Sequence, residues 1–394
     1  MKSAIQSDWR DSLSARPAAD GFLGKRRLRV LYFIASYPTF SETYMHEEIR
    51  GLKDECEIKI ITYRDSTPPR REPFPYELIE YKDPCLVYGP YEQVDSSFSS
   101  PTQREFLEKV EEVIRDFKPD VLHCHYFGLG LLLRHLGEKY HIPFTIRTHS
   151  MDVLAEPIQK LRMRSEAGKS PLCNGVFVFP AFREILLAAG LPAEKLISCP
   201  PTINFGRFYK PGSRPLTRRV LCTGPATRKK AHSDFIDLAA SMRGTGFTFD
   251  LYAKGIYLKA TSEHNEQAGH VVDLKYTDPD EMPEVYPQYD WLVYPGSKQI
   301  NKVGFPVSIP EAQASGLGVC WQELPGRREE QLEFLGGAGF LFQSISEVPA
   351  ILENPYPEDM RLRGFEAAKR CDVDAQKRLF TDAWSKNERA FANA

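Results

Sequence analysis

The sequence predicts an α/β fold made of two successive domains, each with a parallel sheet covered by helices on both faces. Short apolar runs alternate with helical segments along the chain, and this alternation is typical of parallel sheets. The rhythm stops in a stretch rich in proline and glycine at residues 199–215 and then starts again. The 394 residues also exceed the usual length of one domain, about 100 to 200 residues.

In the first half, the first predicted strand is a continuous apolar and aromatic run of the kind found in strands buried on both faces. The strands are predicted at residues 29–34, 57–63, 121–125, 143–148 and 175–179. Helices are predicted at residues 47–52, 103–117, 128–140 and 181–189. Residues 65–103 are rich in proline and serine and are predicted to form irregular surface structure.

The second half repeats the pattern. Strands are predicted at residues 219–223, 247–252, 269–272, 291–294 and 318–321. Helices are predicted at residues 233–242, from residue 311 to 315, and over 358–392 with a break near 371–373. Doubly wound sheets bind ligands at the carboxyl ends of their strands, so we expect a binding cleft between the two halves.

Composition excludes several classes of protein. Lys and Arg number 51 against 53 Asp and Glu, and the net charge of −2 argues against wholesale wrapping of nucleic acid. The longest apolar run, residues 128–133, is far shorter than the ~20 residues that span a bilayer. Residues 1–27 are polar, lack the apolar core of a signal peptide and are predicted to be a loose tail. Eight cysteines without a CxxC pair indicate reduced thiols in a cytoplasmic protein.

A cationic turn follows the first strand of the second half. Arg228, Lys229 and Lys230 come shortly after Gly224, at the end of a buried strand. Guanidinium and ammonium groups placed there can neutralise a diphosphate. They stabilise it most strongly as it departs, because its negative charge then grows. The alternative is a solvated basic turn before a helix.

A glycine loop leads into a helix later in the same half. Its residues Gly304, Phe305, Pro306 and Val307 present backbone N–H groups that, with the helix dipole, can bind phosphate. Glu311, just inside the helix, could accept two hydrogen bonds from a ribose diol. The alternative for Glu311 is an acid that complements the helix dipole.

Two polar segments of the first half follow strands at the same predicted edge. Ser41, Glu42 and Thr43 lie between the first strand and its helix, so they are expected to face the cleft. His149 ends a later strand and could hydrogen-bond a sugar hydroxyl or the reacting centre. A structural histidine that holds a loop is the alternative.

Three further patterns are weaker indications of a functional site. Residues 278–280 and 372–374 have the DxD spacing of metal-dependent sugar transferases, but helix capping is the favoured interpretation of both. His123 and His125 share one face of a strand and Cys124 faces the other way, so we predict no metal site.

Lys160, Arg162 and Arg164 could form a basic surface that touches anionic lipid. A solvated helix face is the favoured alternative.

Five segments, in this order, resemble the retaining glycosyltransferases of the GT-B fold. The resemblance is to the glycogen-synthase-like group, which includes bacterial exopolysaccharide and lipopolysaccharide transferases. Residues 37–43 resemble the opening loop, 120–125 the strand before a glycine-rich helix, 148–152 the THxxD segment, 204–211 the interdomain stretch, and 304–316 the donor loop. The resemblance extends from residue 28 to about residue 345.

The resemblance implies two Rossmann-like domains that face each other across a cleft, with C-terminal helices that cross back to the first domain. The boundaries it suggests are a tail at 1–27, an acceptor-binding domain at 28–205, a donor-binding domain at 206–372 and a C-terminal helix at 373–394.

The implied activity, a step of polysaccharide biosynthesis, is metal-independent transfer of a hexose-like unit from a nucleoside diphosphate sugar to a saccharide or lipid-linked acceptor. The donor is a co-substrate, and no other cofactor and no nucleic acid is expected. A cytoplasmic protein is implied, with peripheral contact at the inner face of the membrane as an option for lipid-linked acceptors. The oligomeric state stays open.

Carried over residue by residue, the resemblance places Lys230 on the donor diphosphate, Glu311 on the ribose and His149 beside the transferred sugar. Two positions depart from the family pattern: Pro225 replaces an arginine and Val303 replaces a glutamate. Arg228 or Lys229 could supply the missing positive charge. These departures keep open a catalytically silent scaffold that binds or assembles. A sugar-nucleotide epimerase, which shares the two-domain architecture, is the third possibility.

Overall fold

The computed structural model describes residues 26–39, 41–64, 73–80, 101–212, 216–300 and 304–386. The first domain is built on a seven-stranded parallel sheet with the strand order β3-β2-β1-β4-β5-β6-β7. Its strands are β1 (Leu28–Ser36), β2 (Cys56–Arg64), β3 (Tyr76–Leu78), β4 (Val121–His125), β5 (Phe144–Arg147), β6 (Cys173–Val178) and β7 (Leu196–Ser198).

Helices cover both faces of this sheet because its central strands are apolar on both sides. In β1, Leu31 and Phe33 pack into one core cluster, while Val30, Tyr32 and Ile34 pack into another on the opposite face. The helices are α1 (Thr43–Leu52), α2 (Pro101–Phe117), α3 (Gly130–Tyr140), α4 (Ser150–Leu154), α5 (Ile158–Gly168) and α6 (Arg183–Ala188).

The short helix α7 (Phe205–Phe208) leads to the second domain, whose six parallel strands have the order β10-β9-β8-β11-β12-β13. The strands are β8 (Arg219–Thr223), β9 (Thr248–Tyr252), β10 (Asp273–Lys275), β11 (Trp291–Tyr294), β12 (Gly318–Gln322) and β13 (Phe340–Phe342). The helices are α8 (His232–Ser241), α9 (Leu258–Gln267), α10 (Met282–Val285), α11 (Ser308–Ala314), α12 (Arg328–Leu335), α13 (Val348–Leu352) and α14 (Glu358–Lys369).

The last helix, α15 (Val373–Trp384), returns to the first domain. Val373 packs so closely on Gly51 of α1 that a Cβ atom at residue 51 would overlap it. The Trp384 indole donates a hydrogen bond of 2.9 Å to the Thr145 hydroxyl in β5. The C-terminal chain therefore crosses back as expected, and α15 packs on α1 and β5 of the first domain.

Several sequence expectations need correction. Residues 269–272 are not a strand, because Gly269 and His270 turn with positive φ angles of 80° and 53°, and the strand begins at residue 273. The first helix begins at Thr43 rather than at residue 47. Strands β3, β7 and β13 are three residues long, too short for their apolar pattern to stand out.

Neither interpretation of α5, a lipid-facing basic surface or the favoured solvated helix face, holds for all three cations. Lys160 and Arg164 lie four residues apart and share one side of α5, whereas Arg162 points to another side. Arg164 is fully buried and pairs with Glu156 at 3.2 Å, and Lys160 pairs with the same carboxylate at 3.3 Å. Only Arg162 of the three is exposed.

The prediction that the cysteines are buried core thiols is confirmed for those that the structure describes. Seven cysteines are free and buried, and Cys85 lies outside the described residues. Within the described part of the chain, no helix combines the length and apolar character that crossing a membrane requires. Residues 1–25 of the expected tail are not described, but Arg27 donates to the Cys56 carbonyl at 2.6 Å.

Candidate functional site

A cleft of about 320 Å³ lies between the carboxyl ends of the two sheets. Both domains line it, because each parallel sheet directs its strand-to-helix loops to this edge. The sequence-predicted residues that line it are Ser41, Glu42, Thr43, His149, Lys229, Lys230, Phe305, Pro306, Val307 and Glu311. Gly304 and Arg228 are not among the lining residues, and Val303 lies outside the described residues.

Lys230 ends a 3₁₀ turn that follows β8. Its ammonium group lies 4.3 Å from the centroid of the Tyr294 ring, and its side chain crosses Gly224, whose φ of 141° suits glycine. Burial, with a smaller contribution from the neighbouring Lys229, lowers the pKa of Lys230 to about 7. An anion in the cleft would restore the charge of this ammonium group.

The three cations of this turn do not act together. Arg228 is exposed, and its guanidinium carbon lies 5.3 Å from the centroid of Tyr257, outside the cleft. Lys229 lines the cleft beside Pro225, the residue that replaces the family arginine. The structure does not bring Arg228 into the cleft, whereas Lys229, the other candidate to supply the missing positive charge, lines it.

The predicted donor loop joins the two domains. Phe305 packs against Phe179 of the first domain with 4.3 Å between ring centroids, and against Trp321 of its own domain at 5.2 Å. Gly304 lies against Ser150 of the first domain. The loop is thus held in the cleft by contacts on both sides.

Glu311 lies in the first turn of α11 and lines the cleft. Its carboxylate accepts a hydrogen bond of 2.8 Å from the Tyr286 hydroxyl. Burial, reinforced by the negative charge of Glu47, raises the pKa of Glu311 to about 8. A carboxyl group that is neutral near pH 7 complements a helix dipole poorly, so burial in the cleft favours the ligand role over the dipole alternative.

Glu42 comes directly before α1. Its two carboxylate oxygens accept hydrogen bonds from the Thr39 hydroxyl at 3.2 Å and the Tyr44 hydroxyl at 3.3 Å. Burial raises the pKa of Glu42 to about 7, and the positive charge of Lys229 opposes the rise. A carboxyl group of the first domain therefore faces the cationic turn of the second.

His149 comes directly before α4, where its backbone N–H donates to Asp152 at 2.7 Å. Its ring stacks on His125 with 5.2 Å between centroids and 9° between planes, and Tyr44 lies 4.9 Å away. Burial holds the pKa of His149 well below its usual value. His149 thus lines the cleft and also packs in the loop, so both interpretations of it have support.

Glu48 is a buried acid that sequence reasoning missed. One carboxylate oxygen lies 3.4 Å from His123 Nε2 and 3.3 Å from His125 Nε2, and the other is ion-paired with Arg147. The predicted alternation of β4 is confirmed, because both histidines face Glu48 while Cys124 packs in another cluster. Only the apolar spacing of α1 hinted that residue 48 turns inward.

The donor atoms of Glu48, His123 and His125 lie within 4.8 Å of one another, a spacing that a metal ion could use. Arg147 already neutralises the carboxylate, however, and a cation added there would carry an uncompensated charge into the core. The chemistry of this group therefore suits a proton-donor network better than a metal.

A network of ion pairs joins the domains beside the cleft. Arg207 lies 2.9 Å from Asp280 of the second domain and 3.3 Å from Glu47 of α1, and Arg50 reaches the same two acids at 3.4 Å and 3.0 Å. These contacts connect the two domains on the side of α1.

Both DxD patterns have structural explanations. Asp278 caps the turn at 279–281 by accepting a hydrogen bond from the Asp280 backbone at 3.2 Å, as predicted. Asp372 is the residue before α15, and its carboxylate accepts from the Phe205 backbone N–H at 3.2 Å and also interacts with the backbone N–H of Asp374 in the first turn of that helix.

Comparison with known proteins supports a specific fold. Residues 41–207, which form most of the first domain, match the family model described as Glycosyltransferase Family 4. No curated protein matches the chain in sequence.

Solved structures match almost the whole chain. HepE from Anabaena, solved in complex with UDP-glucose, has a TM-score of 0.68 and 14% identity, and the alignment covers 91% of this chain and 100% of HepE. Sucrose-phosphate synthase from Thermosynechococcus elongatus has a TM-score of 0.70 and 14% identity over 93% of this chain and 100% of the synthase. The lipopolysaccharide outer core galactosyltransferase WaaB, in its apo form, has a TM-score of 0.60 and 13% identity, and the alignment covers 91% of this chain and 100% of WaaB.

Proposed function

The fold is that of the GT-B glycosyltransferases, and from this premise we propose that the protein is a retaining glycosyltransferase. It moves a hexose-like unit from a nucleoside diphosphate sugar to a saccharide or lipid-linked acceptor and needs no metal. The second domain binds the donor, and the first domain binds the acceptor. The match of residues 41–207 to a glycosyltransferase family supports the class of reaction.

One observation carries the proposal: the cationic turn and the donor loop open into the same cleft. Lys229, Lys230 and the stretch from Phe305 to Ser308 line it together, so a diphosphate can meet ammonium groups and backbone N–H groups at once. HepE, a similar structure, was solved with UDP and with UDP-glucose. A nucleoside diphosphate sugar is the ligand that fits both facts.

The main catalytic contribution in this proposal is electrostatic. As the bond between sugar and diphosphate breaks, negative charge grows on the departing phosphate, and Lys230 and Lys229 stabilise it. The acceptor hydroxyl attacks from the side of the leaving group, so no protein nucleophile is assigned. Glu311 holds the ribose, and Ser41, Glu42 and Thr43 face the acceptor.

Calorimetry with uridine, guanosine, adenosine and thymidine diphosphate sugars tests the donor assignment. We expect one of them to bind, to be hydrolysed slowly alone and to be consumed faster with acceptor. Turnover that persists with a chelator supports metal independence, and NMR of the product anomer tests retention. Conversion of the donor with no acceptor would instead indicate the epimerase.

The scaffold alternative keeps one observation in its favour. Pro225 lines the cleft where the family pattern has an arginine, and proline cannot neutralise phosphate. Absence of binding across the whole donor panel would support a scaffold and reject the enzyme.

A further inference from the structure

We propose that Glu48 is a positioning residue, which acts through His125 to hold His149 as a neutral imidazole with its proton on Nε2. The proposal rests on the proposed function of the cleft, because His149 lines that cleft. Glu48 itself is buried and does not line the cleft, so its role is indirect.

Glu48 is the fixed end of the network. It is fully buried, and the adjacent Arg147 guanidinium pairs with one of its oxygens. The other oxygen accepts a hydrogen bond of 3.1 Å from the Tyr32 hydroxyl. Arg147 and the nearby histidines hold the pKa of Glu48 well below its usual value despite burial. An ionised carboxylate only accepts hydrogen bonds, so every group that faces it must present a hydrogen.

His123 obeys this rule. Its Nε2 faces Glu48 at 3.4 Å and must carry the proton, which leaves Nδ1 as an acceptor in the neutral ring. Nδ1 lies 2.7 Å from the Thr145 hydroxyl, and this hydroxyl already accepts from the Trp384 indole at 2.9 Å. Thr145 can therefore donate its own hydrogen to His123 Nδ1.

His125 transmits the same constraint to the cleft. Its Nε2 lies 3.3 Å from the Glu48 carboxylate and carries the proton, so Nδ1 has a lone pair. That lone pair lies 3.1 Å from His149 Nε2, and two lone pairs at this distance would repel. His149 therefore donates from Nε2 and keeps a lone pair on Nδ1. Burial also lowers the pKa of His125, which keeps its ring neutral.

The consequence for the cleft is chemical. With its one proton committed to His125, His149 has no proton to give to a leaving group. A neutral ring also adds no positive charge that would compete with Lys229 and Lys230 for the diphosphate. In serine proteases, an acid that fixes the tautomer of a histidine in this way contributes several orders of magnitude to rate.

A matched pair of variants at residue 125 tests the proposal. Asn places its side-chain oxygen near the position of His Nδ1, so His125→Asn keeps an acceptor for His149, whereas His125→Leu removes it. Nitrogen-15 NMR of the ring nitrogens should show protonated Nε2 and unprotonated Nδ1 for His149 in the wild type and in His125→Asn. In His125→Leu and Glu48→Gln this preference should weaken.

Turnover and donor binding separate positioning from folding. We expect kcat to fall about tenfold or more in His125→Leu and Glu48→Gln, while His125→Asn retains most of it. Donor Kd should change little in all three, because the groups assigned to the donor diphosphate and ribose lie on the other domain. Equal loss in both His125 variants would indicate a purely structural role and reject the proposal.

Two measurements decide the proposal independently of the activity. A proton on Nδ1 of wild-type His149, or stoichiometric zinc in the purified protein that depends on His123, would overturn it. If the wild type transfers no sugar but its histidines show the expected protonation, the proposed function fails while the tautomer assignment stands.

Discussion

Gly304 of the donor loop packs against Ser150 of the first domain, and a Cβ atom at residue 304 would overlap the Ser150 side chain. The two residues lie in different domains, so the space between them is set by how far the cleft closes. Glycine is needed here for close approach, and not for an unusual φ angle. A substitution at residue 304 can therefore test whether the distance between the two domains affects turnover.

We expect Gly304→Ala to lower kcat about tenfold or more, because the added methyl group holds the domains apart and misplaces the donor loop. Folding should be little affected, since Gly304 lies at a domain contact and outside either core. Steady-state kinetics and thermal unfolding check the two parts of this prediction.

A suppressor gives the control. Ser150→Gly removes both side-chain atoms that the new Cβ would meet, so the double variant should regain part of the lost turnover. If the double variant is no better than Gly304→Ala, the loss has a cause other than this overlap.

The general plan of the site could be predicted because parallel strands end at one edge. Glu42, His149 and Lys230 all follow strands, and the structure brings them to one cleft. Which cation of the turn faces the cleft could not be predicted. Successive side chains of a 3₁₀ turn point about 120° apart, so Arg228 and Lys229 face different surroundings for reasons that only the fold supplies.

The buried ion pair could not be predicted from the sequence for a different reason. Glu48 and Arg147 are separated by 99 residues, and each looks like an ordinary surface group in its own segment. A buried ion pair forms only if both partners reach the same place, and nothing local reports that. The basic pattern on α5 failed in the same way, since Arg164 turned out to serve the core.

Lys230 is the cation expected to stabilise the departing diphosphate. Lys230→Ala should lower kcat about a hundredfold or more, because one such donor typically contributes about 2.7 to 4 kcal/mol to the barrier. Lys229→Ala should have a smaller effect, since its neighbour remains. Both are measured as transfer from the donor that the binding panel identifies.

Arg228→Ala is the matched control for this series. It removes a neighbouring positive charge from the same turn, but its side chain lies on Tyr257 outside the cleft, so turnover should stay within about twofold. A loss as large as that of Lys230→Ala would mean that Arg228 reaches the donor and that the orientation seen here is not the active one.

Donor affinity should fall as pH rises above about 7. In the free protein the pKa of Lys230 is about 7, far below its usual 10.5, and a bound diphosphate favours the ammonium form. Binding above this pH must therefore take up a proton, whereas below it the proton is already present. Deprotonation of Glu42, whose pKa is about 7, adds a negative charge that acts in the same direction.

Calorimetry of donor binding in two buffers with different ionisation enthalpies measures this proton uptake directly. We expect it to be larger at about pH 8 than at about pH 6, and to shrink in Lys230→Ala. An affinity that is constant over this range would contradict the placement of Lys230 beside the diphosphate.

Glu311 should make the empty protein less stable as pH rises. Its pKa is about 8 in the folded protein and 4.5 ordinarily, so the folded state holds a proton that the unfolded state releases. The stabilisation is fully present below about pH 4.5 and is lost as pH rises through 8. Glu311→Gln keeps an oxygen for the Tyr286 hydroxyl but cannot ionise, so its melting temperature should fall less than that of the wild type between pH 5 and 8. Parallel melting curves for the two proteins would contradict a buried, protonated Glu311, and loss of donor binding in the same variant would separately support its contact with ribose.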